Sequence, residues 1–349
     1  MKYFLLQNNH SKRLQQIYLI NPICYDKLHK QLYDTKKSID KYSSKWNMYR
    51  GIENPYEYVY TSSDTILNIC TICPISRSYF KLQEIIIDLN ILPDTKINIT
   101  CIAEGPGGFI QNINDNSNHK HNIYGITLVS KQKNVPFWSP LIENYTNVIL
   151  LKGVDKTGDI TNIQNINNFV SIIGKNTCML VTSDGGIDYS SDYNSQESDS
   201  YKFIISEIII ALQIQKIGGT FVIKMFDLLN HTTIQLLYLL YMSYDSVYIH
   251  KPNMSRSSNS EKYIVCKGFK NDTKIIKLLL DNYNHTLYLD IPETFIHNIR
   301  LYNEYYITNQ IDTIQKIIKN INNNVKKYPS MFQLETSKKW CIDYKLPFK

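Results

Sequence analysis

No apolar stretch in this sequence is long enough to cross a bilayer. The longest, Ile204 to Ile217, is interrupted by Ser206, Glu207, Gln213, Gln215 and Lys216, short of the ~18 apolar residues that a spanning helix needs. Met1 to Ile20 mixes Lys, Arg, Gln and Asn with short apolar patches and lacks the continuous apolar core of a secretory leader. Cysteines number 7, an odd count scattered along the chain. The lone C-x-x-C, Cys70-Thr71-Ile72-Cys73, has no second pair at zinc spacing, so a structural role is favoured over metal or redox work. Internal repeats and low-complexity linkers are missing too. These absences lead us to expect an intracellular, reduced protein without a membrane span, disulfides or a metal site.

What is present bounds the rest. A chain of 349 residues that is 43% hydrophobic can bury one large core or two small ones. The net charge of +7 is compatible with a polyanionic partner and equally with a merely basic surface. Tyrosine is abundant, at 27 residues, and Asn, Ile and Lys are frequent. We read this bias as AT-rich coding, pointing to an AT-rich virus or protist. The expected compartment is then the host cytoplasm or virion for a viral protein, or the nucleus for a cellular one.

Three regions follow from the pattern. Residues 1–74 are a polar, Tyr- and Lys-rich lead-in, with one or two helices over Tyr25 to Tyr49 and a turn at Asn54-Pro55-Tyr56-Glu57. Within it, Trp46, Tyr49 and Arg50 suit stacking on a base or seating the lead-in on the core. Residues 75–270 alternate strand-like and helical runs. The strands are Ile97–Ile102, Ile123–Leu128, Val148–Leu151, Met179–Thr182, Thr220–Met225, Val247–His250 and Lys262–Cys266; the helices include Tyr201–Ile217 and Thr232–Tyr244. Several strands are almost continuously apolar, as buried parallel strands are. This alternation predicts an α/β doubly wound sheet. Only Lys251 to Glu261 separates the last two strands, too little for a parallel crossover, so the last strand runs antiparallel. Residues 271–349 are a helical tail, with Ile311, Ile314, Ile318, Ile321 and Val325 at helical spacing over Thr308 to Lys326.

The chemistry centres on Cys101-Ile102-Ala103-Glu104-Gly105-Pro106-Gly107-Gly108-Phe109. A strand that stops in glycines and re-enters as a helix lets backbone approach a ligand and offers free N–H groups. The spacing is not G-x-G-x-x-G, and no Gly-Lys-Ser/Thr follows, so dinucleotide and P-loop sites fit poorly. Four charged residues converge on the ends of this sheet: Lys81 in Ser76-Arg77-Ser78-Tyr79-Phe80-Lys81-Leu82, Asp184 before Gly185-Gly186, Lys224 in Phe221-Val222-Ile223-Lys224-Met225-Phe226-Asp227, and Glu261 after Ser255-Arg256. A lysine inside an apolar strand needs a partner or a depressed pKa, because burying an unpaired ammonium is costly.

The turn A-x-G-P-G-G-F resembles the first motif of FtsJ-like S-adenosylmethionine-dependent methyltransferases. Lys81, Asp184, Lys224 and Glu261, each in its motif, resemble the catalytic tetrad of that family's ribose 2′-O-methyltransferases. Gly158-Asp159-Ile160-Thr161, Tyr238-Leu239-Leu240-Tyr241 and His250-Lys251-Pro252 are similar to the mRNA cap-specific branch. The resemblance implies a Rossmann-like sheet of seven strands with the last antiparallel and helical extensions at both ends. It implies S-adenosylmethionine held by Glu104, Gly105, Pro106, Gly107, Gly108, Phe109, Asp159 and Asp184, and RNA, capped mRNA in particular, as the acceptor. Lys224 is then the general base, with its pKa lowered by Lys81 and by desolvation, while Asp184 and Glu261 orient the two lysines. Gly125-Ile126-Thr127-Leu128 has no acidic residue for the cofactor ribose. Arg77, Lys251, Arg256 and Lys262 are the expected phosphate contacts. Ribosomal or transfer RNA methylation, and an inactive RNA- or cap-binding subunit on the same fold, are the alternatives.

Overall fold

The computed structural model describes residues 3–6, 22–61, 65–130, 132, 135–186, 192–285 and 287–349. Of the stretch Met1 to Ile20, all but Tyr3–Leu6 therefore lies outside the described residues. β1 (Tyr3–Leu6) is followed by α1 (Pro22–Ser38) and α2 (Ser43–Tyr49). Next come α3 (Ser78–Leu89), β2 (Asn98–Ile102), α4 (Gly108–Asn116), β3 (Asn122–Ile126), the short α5 (Pro140–Glu143) and β4 (Val148–Leu151). The middle continues as α6 (Ile163–Ile173), β5 (Cys178–Ser183), the short α7 (Gln196–Asp199), α8 (Tyr201–Ile214) and β6 (Gln215–Met225). Then follow α9 (His231–Ser243), β7 (Tyr244–His250), β8 (Lys262–Phe269), α10 (Thr273–Asp281), α11 (Glu293–Asn322) and α12 (Met331–Asp343). No helix among the described residues is long and apolar enough to cross a membrane.

One sheet of eight strands, in the order β1-β7-β8-β6-β5-β2-β3-β4, organises the described chain. Strands β4, β3, β2, β5 and β6 are parallel neighbours, and β8 runs antiparallel between β6 and β7. The antiparallel strand is thus the one the short 251–261 loop requires. The eighth strand is a correction to the seven expected. Tyr3–Leu6 pairs antiparallel with β7, and four residues are too few to show a period. By pairing there, β1 covers the backbone donors and acceptors that β7 would otherwise leave open at the sheet edge.

Alternation along the strands supplies a core to each face. Ile99 and Cys101 of β2 pack with Leu82, Ile85, Phe109 and Ile110 from α3 and α4. Ile102, Val181 and Phe221 pack on the other side with Phe169, Ile205 and Leu236 from α6, α8 and α9. Every residue of α8 from Ile204 to Ile214 is buried, as befits a helix covered all round. The expected helix over Tyr201–Ile217 ends three residues sooner, because Gln215 turns extended and β6 starts at once.

The flanks pack on this unit and on each other. Ile39, Trp46 and Tyr49 meet Ile314, Ile317 and Ile321 of α11. Trp340, Cys341 and Tyr344 sit among Val59, Cys70, Tyr79 and Phe80. α11 begins 15 residues before Thr308, at Glu293. Its first half carries Phe295, Ile299 and Tyr302 into the main core, a spacing of four and three that polar neighbours conceal.

Candidate active site

Strand register builds the site. Ile102 of β2 is level with Ser183 of β5, Ser183 with Ile223 of β6, and Ile223 with Ile264 of β8. One step further along the parallel strands stand Ala103, Asp184 and Lys224; Tyr263 pairs with Lys224 across the antiparallel ladder. Strand order reverses between β2 and β5, and such a switch point opens a crevice beyond the carboxyl ends of the strands.

The four predicted charged residues meet there as two ion pairs. Lys81 Nζ lies 2.7 Å from Glu261 Oε1, and Lys224 Nζ lies 3.3 Å from Asp184 Oδ1. Lys224 Nζ also donates to the Asp184 carbonyl at 2.8 Å. All four side chains are 11–14% exposed. The charges tune one another. Burial pushes the Glu261 carboxyl up, but Lys81 and Lys224 outweigh it and bring its pKa to about 2. Burial lowers Lys224, yet Asp184 and Glu261 more than offset that, so its pKa is raised. The expected depression is therefore not found: three carboxyls, Asp184, Glu261 and Glu207, act on this ammonium, and their attraction exceeds the effect of desolvation.

The glycine turn is in place, but its glycines serve the protein's own packing. A Cβ on Gly105 would come within 2.4 Å of the Pro136 carbonyl, one on Gly107 within 2.4 Å of Ile142, and one on Gly108 within 2.3 Å of Ser76 and Ser78. Gly107, at φ +110°, caps the start of α4. The Pro106 carbonyl accepts from Ser139 N at 3.0 Å. Phe109 is buried in the core with its ring 6.0 Å from that of Tyr263, which leaves its backbone alone for a ligand. Glu104 opens the turn and is 3% exposed. Burial pushes its pKa well above the usual carboxylate range. Neither of its oxygens has a hydrogen-bond partner among the described residues; neighbouring Thr182 donates to Cys101 Sγ at 3.4 Å instead. Asp159 lies in the loop after β4, where its Oδ1 accepts from Thr161 N at 2.8 Å and Thr161 Oγ1 at 2.7 Å, the geometry of a turn-forming aspartate.

The four expected phosphate contacts are used internally. Arg77 donates to the carbonyls of Met254 and Tyr60 at 3.1 and 2.7 Å. Arg256 grips Glu57 with two bonds of 3.1 and 2.9 Å. Lys251 Nζ donates to Glu261 O at 2.7 Å and Asn259 O at 2.8 Å. Lys262 is buried and donates to the Phe226 carbonyl. All four surround the loop that delivers Glu261, and that loop needs internal donors more than the surface needs charge. Trp46 and Tyr49 seat the lead-in on α11. Arg50 instead lines a cavity of about 100 Å³ with Lys36, Tyr193, Arg256, Asn259 and Ser260. Its Nε is buried with no hydrogen-bond partner among the described residues. Cys70 is buried in one core with Cys341, whereas Cys73 is exposed.

Sequence reasoning missed Tyr263 and Glu207. The Tyr263 hydroxyl donates to Asp184 Oδ1. Glu207 is a charged residue inside an apolar helix, the same signal that marked Lys224 inside an apolar strand.

Comparison with known proteins agrees with this geometry. A family model described as FtsJ-like methyltransferase matches residues 74–269. A mouse protein named cap-specific mRNA (nucleoside-2′-O-)-methyltransferase 1 is 34% identical over 189 residues, covering 52% of this chain and 23% of its own length. Zebrafish cap-specific mRNA (nucleoside-2′-O-)-methyltransferase 2 is 29% identical over 319 residues, covering 79% of this chain and 40% of its own. The chain thus spans between about a quarter and two fifths of these curated relatives. Among solved structures, a Plasmodium falciparum protein described as a ribosomal RNA methyltransferase is 25% identical, with a TM-score of 0.42, covering 56% of this chain and 97% of that one. With the glycine turn, the crevice and a family model over more than half its length, this chain belongs to the FtsJ-like methyltransferases.

Proposed function

We propose that this protein transfers a methyl group from S-adenosylmethionine to a ribose 2′-hydroxyl in the first nucleotides of capped mRNA. The observation that carries the reading is the pairing of Lys224 with Asp184 and of Lys81 with Glu261 at the crevice. A ribose hydroxyl is a poor nucleophile until its proton is taken. When bound, S-adenosylmethionine supplies the methyl group on a positively charged sulfur.

The residues of this chain do the rest. The turn from Gly105 to Phe109 holds the cofactor through its backbone. Glu104, buried and unpartnered, fits a cationic group such as an ammonium, whose charge would lower the carboxyl's pKa and release its proton to solvent. Asp159 keeps an oxygen for the adenine edge, and Asp184 faces the sulfonium. Lys224 Nζ accepts the hydroxyl proton. Since the carboxylates around it raise its pKa, a cationic neighbour in the crevice favours its neutral form. Lys81, fixed by Glu261, orients the acceptor. Holding both reactants in line supplies much of the acceleration.

Two observations favour capped mRNA. The curated relatives carry that specificity in their names. In addition, the cavity lined by Lys36, Arg50 and Arg256 adjoins Ser260, next to the tetrad, and its unpartnered Arg50 Nε suits an anionic 5′ end. The test is transfer of labelled methyl to capped and uncapped short RNAs, with nuclease mapping of the product. Loss of most activity on removing the cap is expected. Equal transfer to uncapped ribosomal or transfer RNA would overturn the cap assignment, and no transfer to any RNA would favour an inactive binding subunit.

A further inference from the structure

Glu207 sits in the middle of α8 and is 1% exposed. It reaches the loop after β5, where its Oε1 lies against Gly185, while the Ser183 hydroxyl donates to the Ile102 carbonyl at 3.3 Å. The Asp184 carbonyl, one residue before Gly185, receives Lys224 Nζ at 2.8 Å. Glu207 and Lys224 therefore meet one turn from two elements. Packing is tight: a Cβ on Gly185 would stand 2.6 Å from Glu207 Oε1. That oxygen is buried with no hydrogen-bond partner among the described residues.

The charged and titratable groups facing Glu207 are Asp184 from β5, Lys224 from β6 and Glu104 from the end of β2. Lys202, on its own helix, turns away to the Tyr283 carbonyl. Burial is the largest influence on Glu207 and lifts its pKa to about 8. At neutral pH it is a carboxylic acid packed against the Asp184–Gly185 turn.

We propose that Glu207, packed against the turn whose Asp184 carbonyl binds Lys224, sets the proton affinity of Lys224: as a neutral acid it leaves that ammonium alone, and as a carboxylate it holds the proton there. The inference rests on Lys224 being the base of the proposed reaction. The proton balance is simple. Glu207 loses its proton to solvent as pH rises, the site gains a negative charge, and the Lys224 ammonium becomes harder to deprotonate. Alkaline pH thus gains less neutral Lys224 than it would without Glu207.

The test compares wild type, Glu207→Gln and Glu207→Ala. Glutamine keeps a carbonyl acceptor but never ionises. NMR titration of the Lys224 side chain in cofactor-free protein reads the effect without activity. The Lys224 midpoint is expected to fall by about one pH unit in Glu207→Gln, the scale of one partly screened charge at contact range. The rising limb of kcat against pH should move by the same amount. Glu207→Ala, which likewise never ionises, is expected to shift the Lys224 midpoint in the same direction. Should Glu207→Ala fail to fold, Glu207→Gln alone decides. A Lys224 midpoint in Glu207→Gln that superimposes on wild type overturns the inference. If wild type methylates no RNA, the proposed function fails while the lysine titration still reports on Glu207.

Discussion

The Tyr263 hydroxyl donates to Asp184 Oδ1 at 2.6 Å, and that same oxygen stands 3.3 Å from Lys224 Nζ. One carboxylate oxygen is thus shared by a neutral donor and a cation, which fixes its direction. Tyr263→Phe removes the donor and keeps the ring that packs on Phe109. A hydrogen bond to a charged group contributes about 1.5–3 kcal/mol. We expect stability lowered by about that amount, seen as a lower melting temperature, and kcat reduced because Asp184 is left free to swing. Scanning calorimetry and steady-state kinetics check this, and an unchanged kcat would show that Asp184 is held well enough without Tyr263.

Lys224→Ala should abolish turnover and leave S-adenosylmethionine binding intact. Loss of a general base costs about 10²–10⁴-fold in rate. A tritiated methyl transfer assay beside binding calorimetry separates the two effects, and near wild-type transfer to capped RNA would rule Lys224 out as the base.

Glu57 is the counter-ion at which the lead-in meets the loop that carries Glu261. Arg256 binds it with two bonds, and Arg77 lies 3.9 Å away. Replacing it leaves two half-buried guanidiniums facing one another without their buried counter-ion, and breaking a buried pair costs up to about 3–5 kcal/mol. Glu57→Ala should therefore unfold at markedly lower denaturant than wild type. Arg256→Ala should cost less, because Arg256 is 21% exposed. Equal midpoints for the two variants would contradict this asymmetry.

Stability should pass through a minimum near neutrality. Burial lifts Glu84 and Glu207 to about 8 and Glu197 to about 7, from an ordinary 4.5. Between 4.5 and these values the unfolded chain has released protons that the folded chain keeps, so stability falls as pH rises across that window. Burial brings Lys251 to about 7 and Lys262 to about 8, from 10.5. Between those values and 10.5 the folded chain has released protons that the unfolded chain keeps, so stability climbs with pH. Glu261, at about 2, contributes stability present above 4.5 and lost as pH falls toward 2. Melting temperatures from pH 4.5 to 10 should trace the dip, and Glu84→Gln should flatten its acid side. A steady rise from pH 5 to 8 would contradict it.

Much of this architecture could be read before folding. The continuous apolar runs of β2, β5 and β6 can be buried on both faces only in a central sheet, and the short loop before β8 forces its direction. The convergence of Lys81, Asp184, Lys224 and Glu261 was legible because they sit at strand ends or on an adjoining helix. Three features were not. β1 is too short for any period, the first half of α11 hides its core residues among polar ones, and Arg77, Lys251, Arg256 and Lys262 look the same in sequence whether they face solvent or a carbonyl. The pKa of Lys224 was misjudged because Asp184 and Glu261, read only as orienting the lysines, together outweigh desolvation once folding brings both to this ammonium, with Glu207 of α8 adding to them.

Gln333 on α12 donates to the carbonyls of Gly51, Ile52 and Asn54 at 3.2, 3.1 and 2.9 Å, across sequence separations of 279–282 residues. Those carbonyls adjoin the turn that presents Glu57 to Arg256. During synthesis at about 5–20 residues per second, that segment waits some fifteen seconds or more for its partner to be made. The ribosome will therefore have released nearly the whole central sheet before the lead-in can be locked down. Such long-range closure is slow to nucleate, which makes the lead-in the last part of the nascent protein to become protease-resistant.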